Sequence, residues 1–200
     1  MRGIPGFFRE IQFISGGYTM KHGTVRNLVR TAVMVAVMAV CAWITIPGPV
    51  PFTLQVFGIA AAFCFLGGKY GTIAVVVYLL VGSVGAPVFS GFKGGFGVLA
   101  GPTGGYLWGF LLMGFLYWGG TALFGEKRWL QAVLLPLGLL LCYLTGTLWF
   151  VHVTGAAGKD VTFGAALGMC VLPFVLPDLI KLYLAWALGG FLRKRLEKGN

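Results

Sequence analysis

Residues 176–186 read LPDLIKLYLAW. Asp178 and Lys181 stand three residues apart in a run that is otherwise apolar and aromatic. The run extends from about residue 163 to 192 and carries no other charge. That length exceeds the roughly 18 apolar residues that mark a membrane-spanning helix. On a helix, residues i and i+3 share a face, so the two charged side chains converge on one space. An ionisable group at membrane depth costs several kcal/mol unless it is paired, hydrated or functional. Pro173 and Pro177 lie just before the pair and can leave backbone carbonyls free to accept hydrogen bonds. Such a pair either fastens this helix to its neighbours or belongs to a site.

The rest of the chain has the same character. Of its 200 residues, 58% are hydrophobic and 10% are charged, against about 25% charged in an ordinary soluble domain. Five further apolar segments cover roughly 28–46, 52–67, 71–87, 104–124 and 129–153. Helices are expected, because backbone groups in lipid must find partners within their own segment. The fold class read from this pattern is all-α: a polytopic membrane protein with six transmembrane helices.

The charge balance fixes an orientation. Fifteen Lys and Arg against five Asp and Glu give a formal charge of +10. In a soluble protein that excess would suggest nucleic acid, but here position excludes it. With both termini on one side, that side collects Arg2, Arg9, Lys21, Arg26, Arg30, Lys69, Lys127, Arg128, Arg193, Lys194, Arg195 and Lys198. The other side receives Lys93 and Lys159. The positive-inside rule then places both termini in the cytoplasm.

Residues 21–200 read as a single membrane domain and residues 1–20 as an N-terminal extension. The extension lacks the apolar core and cleavage site of a signal peptide. It is either an interfacial arm or upstream of a true start at Met20, which N-terminal sequencing would decide. Cys41, Cys64, Cys142 and Cys170 all fall in apolar segments without CxxC spacing, and read as small buried hydrophobes. His22 and His152 are isolated, and no metal site is expected.

Residues 85–103 form a glycine-rich loop between the third and fourth segments, on the outer side. The stretch GAPVFSGFKGGFGVLAGPTGGY, residues 85–106, holds eight glycines and two prolines, so a regular helix is not expected. It is also too apolar for a solvated linker. Irregular apolar backbone near membrane depth is tolerated where it is buried or lines a cavity, so the loop is expected to fold back as a cover. Gly95–Ala100 fits GxGxxA, but that fingerprint needs a βαβ unit. No GxxxxGK[ST] phosphate-binding loop is present, so any ATP hydrolysis belongs to another polypeptide.

The polar residues able to join Asp178 and Lys181 are Gln55 and Thr53 from PFTLQVF, with Ser90 and Tyr106. Phe52, Phe89, Phe92, Phe96 and Trp108 are candidate apolar walls. A mostly apolar pocket with a few convergent polar groups is what a small-molecule site requires. The ligand would have an apolar body and a head that both donates and accepts hydrogen bonds.

PVPFTLQVFGI, YLLVGSVGAPVFSGFKGGFGVLAGPTGGYLWGF and LPDLIKLYLA resemble the BioY family, the substrate-binding S components of energy-coupling factor (ECF) biotin transporters. The resemblance spans about residues 28–192. It implies a six-helix S-component fold that binds biotin from outside with high affinity. It also implies a transport subunit rather than an enzyme, with no cofactor and with biotin as the carried ligand. The implied partners are a transmembrane coupling protein and two ABC-type ATPase subunits, in the plasma membrane of a prokaryote.

Carried over residue by residue, Asp178 and Lys181 match the family's polar ligand-contacting pair, and Gln55 its helix 2 glutamine. Asp178 is expected to accept a ureido N–H. Lys181 then meets the ureido carbonyl or the valerate carboxylate. Family members often carry an asparagine after the PVF element, where this chain has Gly91. Ala32 and Ala36 form a small-xxx-small face; it either packs inside the bundle or, as the resemblance implies, docks the coupling protein.

Three rivals remain. One is an S component for thiamin or riboflavin. Another is an intramembrane serine hydrolase built on Ser90 and His152, weakened by VFSG in place of GxSG and by the want of an oriented base. The third is a passive channel, which a covered Asp/Lys pair fits poorly.

Overall fold

Apolar segments that cannot reach water satisfy their backbone internally, and the described residues are almost entirely helical. The structure, a computed structural model, describes residues 22–47 and 50–198. Helix α1 spans His22–Trp43, and a two-residue ribbon follows, in which β1 (Thr45–Ile46) pairs antiparallel with β2 (Phe52–Thr53). Helix α2 covers Gln55–Ser83. The glycine-rich loop then holds a 3-10 turn at Ser90–Phe92 and a short helix α3, Phe96–Ala100. The remaining helices are α4 (Gly104–Phe124), α5 (Arg128–Ala156), α6 (Phe163–Cys170) and α7 (Leu172–Lys198).

Five helices are long and apolar enough to cross a membrane: Val25–Trp43, Gln55–Ser83, Gly104–Phe124, Arg128–Ala156 and Leu172–Phe191. Only a third to a half of each is buried within the protein. Leu28, Leu123, Leu140 and Leu172 are among many large apolar side chains left exposed. Helices apolar on every face are the pattern of a bundle immersed in lipid.

The second and third apolar segments are joined in α2, and Gly67 explains how. Its φ of 76° and ψ of −179° interrupt the helix, a conformation open to glycine and strained for other residues. There the chain doubles back. Gln55 and Tyr78 would lie about 35 Å apart along a straight helix, yet their side chains are hydrogen-bonded at 2.8 Å. The two segments are therefore the antiparallel limbs 55–66 and 68–83.

Three expectations need correction. The sixth segment is two helices, because the backbone breaks at Val171 (φ −125°, ψ −57°). Pro173 then falls in the first turn of α7, where its missing N–H costs nothing. The first segment is helical from His22, six residues earlier than its apolar character suggested. The glycine-rich loop is less irregular than its composition implied, since α3 forms within it. The fourth segment keeps its expected ends as α4. The extension at residues 1–20 lies outside the described residues.

The core is built around α2, α4 and α5. The α4–α5 pair is the most extensive contact, and Gly109 permits it: a Cβ there would lie 2.8 Å from the Cys142 Cα. At one end of the bundle the Gly67 turn meets Glu126, and Arg128 reaches α7 at Trp186. The ribbon and the glycine-rich loop form the opposite end. Trp43 Nε1 donates to the Pro87 carbonyl at 2.7 Å, and Gly95 N–H donates to Gly82 O at 2.7 Å. The loop is a fixed cover over this end.

Candidate ligand-binding site

Beneath the cover lies a cavity with a mostly apolar wall, to which Val56, Phe89, Leu107, Phe110, Leu139 and Phe174 contribute. The polar groups away from the lid come from four elements. Helix α7 brings Asp178 and Lys181, α5 brings Tyr143, the ribbon brings Thr53, and the start of α2 brings Gln55. Ser90, Lys93, Thr103 and Tyr106 complete the lid side.

Asp178 and Lys181 are buried, at 4% and 5% exposure. Lys181 Nζ donates to Asp178 Oδ1 at 2.6 Å and to the Thr53 carbonyl at 2.7 Å. It also lies 3.9 Å from the centre of the Phe52 ring, whose negative face attracts an ammonium. Tyr143 donates to Asp178 Oδ2 at 2.7 Å. A buried charge without a partner is strongly destabilising, and these contacts remove that cost. They also leave an asymmetry. The ammonium has its three N–H bonds directed at two acceptors and a ring face, whereas each carboxylate oxygen retains a lone pair. The pair therefore presents itself to the cavity chiefly as an acceptor.

Gln55 has a defined polarity for a similar reason. Tyr78 has one hydroxyl hydrogen, and it goes to the Val88 carbonyl at 2.8 Å. A carbonyl cannot donate, so the Tyr78 oxygen must accept from the Gln55 amide nitrogen, 2.8 Å away. The Gln55 carbonyl oxygen is then free to act as a second acceptor. Because Val88 belongs to the lid, the cover and the amide orientation are tied together. The Gln55 backbone N–H is satisfied by Thr53 Oγ1 at 3.1 Å.

The six expected polar residues, Asp178, Lys181, Gln55, Thr53, Ser90 and Tyr106, line the cavity, and so does Phe89. Phe92 does not. It sits in the left-handed region, φ 58°, is 63% exposed and stacks on Trp43 with ring centres 5.0 Å apart. Its positive φ follows that of Gly91 and turns the ring away from the cavity. Phe96 and Trp108 are also exposed, and Phe52 packs on Lys181 and Phe174. Phe110, Phe174 and Tyr143 supply the aromatic wall instead.

Sequence reasoning missed Tyr143 and Tyr78. The available signal was their position, since a tyrosine deep in an apolar helix needs a partner for its hydroxyl. All four cysteines are buried and none forms a disulfide, and two of them, Cys142 and Cys170, lie on the cavity wall. Ser90 hydrogen-bonds Thr45 at 3.2 Å and His152 is exposed away from the cavity, so the two form no nucleophile–base pair. Among the described residues no three His, Cys, Asp or Glu side chains cluster as a metal site.

A family model described as "BioY family" matches residues 16–198. The chain belongs to the BioY family. The biotin transporter BioY of Thermotoga maritima is 43% identical over 179 residues, covering 86% of this chain and 98% of that protein. Biotin transporter BioY2 of Lactococcus lactis subsp. cremoris is 34% identical over 182 residues, covering 90% and 97%. Among solved structures, the S-component for biotin from an ECF-type ABC transporter superposes with a TM-score of 0.77. It is 28% identical, with 88% of this chain and 95% of that one covered. The BioY-family match takes in every element that lines the cavity.

On this BioY-family chain the small-residue face of α1 points outward. Ala32 and Ala36 are exposed, flanked by exposed Val29, Val33 and Val40, while Met34, Met38 and Ala39 face the core. Packing inside the bundle is therefore not what these two alanines do.

Proposed function

We propose that this multi-pass membrane protein is the biotin-binding S component of an ECF-type uptake transporter. The observation that carries the reading is the acceptor-rich cluster of Asp178 and Gln55, set in an otherwise apolar cavity beneath a lid. Biotin's fused ring carries two ureido N–H donors and one carbonyl on an apolar bicycle. One N–H would meet the free lone pairs of Asp178, and the other the Gln55 carbonyl oxygen. Phe89, Phe110 and Phe174 would enclose the sulfur-containing ring. Burial of that body supplies affinity, and the polar contacts supply selectivity.

The same reading gives the surrounding topology. Six crossings, with both termini in the cytoplasm of a prokaryotic cell, would put the lid on the outer face, where the vitamin arrives. Ala32 and Ala36 would dock a transmembrane coupling protein, because small residues let helix backbones approach closely. Two ABC-type ATPase subunits would supply the energy. Equilibrium binding of radiolabelled biotin to the purified chain, in competition with thiamin and riboflavin, tests the assignment. Biotin should compete at far lower concentration than either; preference for another vitamin would refute it.

A further inference from the structure

Two cations and one anion lie among the residues lining the cavity: Lys93, Lys181 and Asp178. Asp178 and Lys181 neutralise each other at 2.6 Å, and Lys181 is further occupied by the Thr53 carbonyl and the Phe52 ring. Lys93 differs in every respect. It is exposed on the lid, and among the described residues its ammonium meets no carboxylate and no hydrogen-bond acceptor. Its backbone is nevertheless fixed, because the Phe89 N–H donates to the Lys93 carbonyl at 2.9 Å and closes the turn between them. The cavity thus has a neutral pair at its buried end and an unmatched positive charge at its exposed rim.

We infer that Lys93, and not Lys181, takes the carboxylate end of the ligand. The inference rests on the proposed biotin reading, and it fixes which way round the molecule lies. A carboxylic acid is ionised at neutral pH. Placed beside Asp178 it would face a second carboxylate, with the nearby ammonium already committed. Placed at the rim it finds the cation that, among the described residues lining the cavity, has no partner, and the aliphatic stem of a lysine can swing to meet it. The ureido head then occupies the buried acceptors, and the valerate chain runs outward along the apolar wall. Lys93 makes the site selective for an acid over its neutral derivatives.

The test compares biotin with biotinamide, its neutral carboxamide, on the purified full-length chain. Wild type should prefer biotin about tenfold, the worth of one charge-assisted hydrogen bond. Lys93→Met should weaken biotin about tenfold and leave biotinamide within about twofold, and Lys93→Arg should restore most of the preference. Raising salt should erode the preference in wild type and do nothing in Lys93→Met. Equal loss of both ligands in Lys93→Met, or loss of neither, overturns the inference while leaving biotin as the ligand. A wild-type chain that binds neither compound refutes the biotin reading itself.

Discussion

Two basic side chains fasten the middle of α7 to the rest of the bundle, Lys181 from α7 itself and Arg128 from α5 at Trp186, five residues further along. Lys181 donates to the Thr53 carbonyl and lies over the Phe52 ring. Arg128 donates to the Trp186 carbonyl at 3.0 Å and lies 4.2 Å from the Trp186 ring, while Trp186 Nε1 donates back to the Arg128 carbonyl at 3.1 Å. Both use a carbonyl and an aromatic face to replace water. Only Lys181 is fully buried, and only Lys181 has a carboxylate and a cavity beside it. A cation in a membrane bundle is therefore not in itself a mark of a binding site. The carboxylate with spare lone pairs is what distinguishes the two.

The sharpest way to break that contrast is Asp178→Asn. The shape is kept, but the Lys181 ammonium loses its counter-charge and the ligand loses its acceptor charge. Removing one partner of a buried pair costs about 3–5 kcal/mol of stability, and losing the charged acceptor for a ligand N–H, worth about 1.5–3 kcal/mol, should lower biotin affinity in equilibrium binding by about a hundredfold. Wild-type affinity in this variant would make Asp178 a fastener like Arg128. Tyr143→Phe comes next, because it removes a hydrogen bond to a charged acceptor, worth about 1.5–3 kcal/mol. At least a tenfold weakening of biotin is expected, with folding intact by size-exclusion chromatography.

Arg128→Met sharpens the comparison from the other side. It should leave biotin affinity unchanged and lower the melting temperature, through loss of about 1–2 kcal/mol of hydrogen bond and cation–π contact. Reduced affinity without reduced stability would mean that the Arg128–Trp186 contact is coupled to the cavity. Ala36→Leu has the smallest expected effect on the isolated chain, since the residue is exposed. Its consequence should appear only in co-purification with the coupling protein, which a leucine at a small-residue contact would weaken.

Much of this was legible in the chain itself. Apolar length gave the helices, and the expected gap at 68–70 between the second and third segments falls one residue past Gly67, where a positive φ makes the reversal. The Asp178–Lys181 spacing gave the ion pair on the cavity wall, because i, i+3 geometry is local. The break at Val171 was hidden, since hydropathy does not change across it. Phe92 was misread because its direction depends on a backbone angle that composition does not report. Tyr143 was missed because its partner Asp178 lies 35 residues away, and nothing local links the two.

The reversal at Gly67 has a consequence for where the ligand rests. The limb 55–66 rises only about 18 Å, against a hydrocarbon thickness of about 30 Å. A helix that begins so deep leaves a well between its first residue and the membrane surface, and Gln55 stands at the bottom of it. The ribbon and the lid roof that well with their own backbone, so a vitamin bound as proposed would rest inside the thickness of the bilayer.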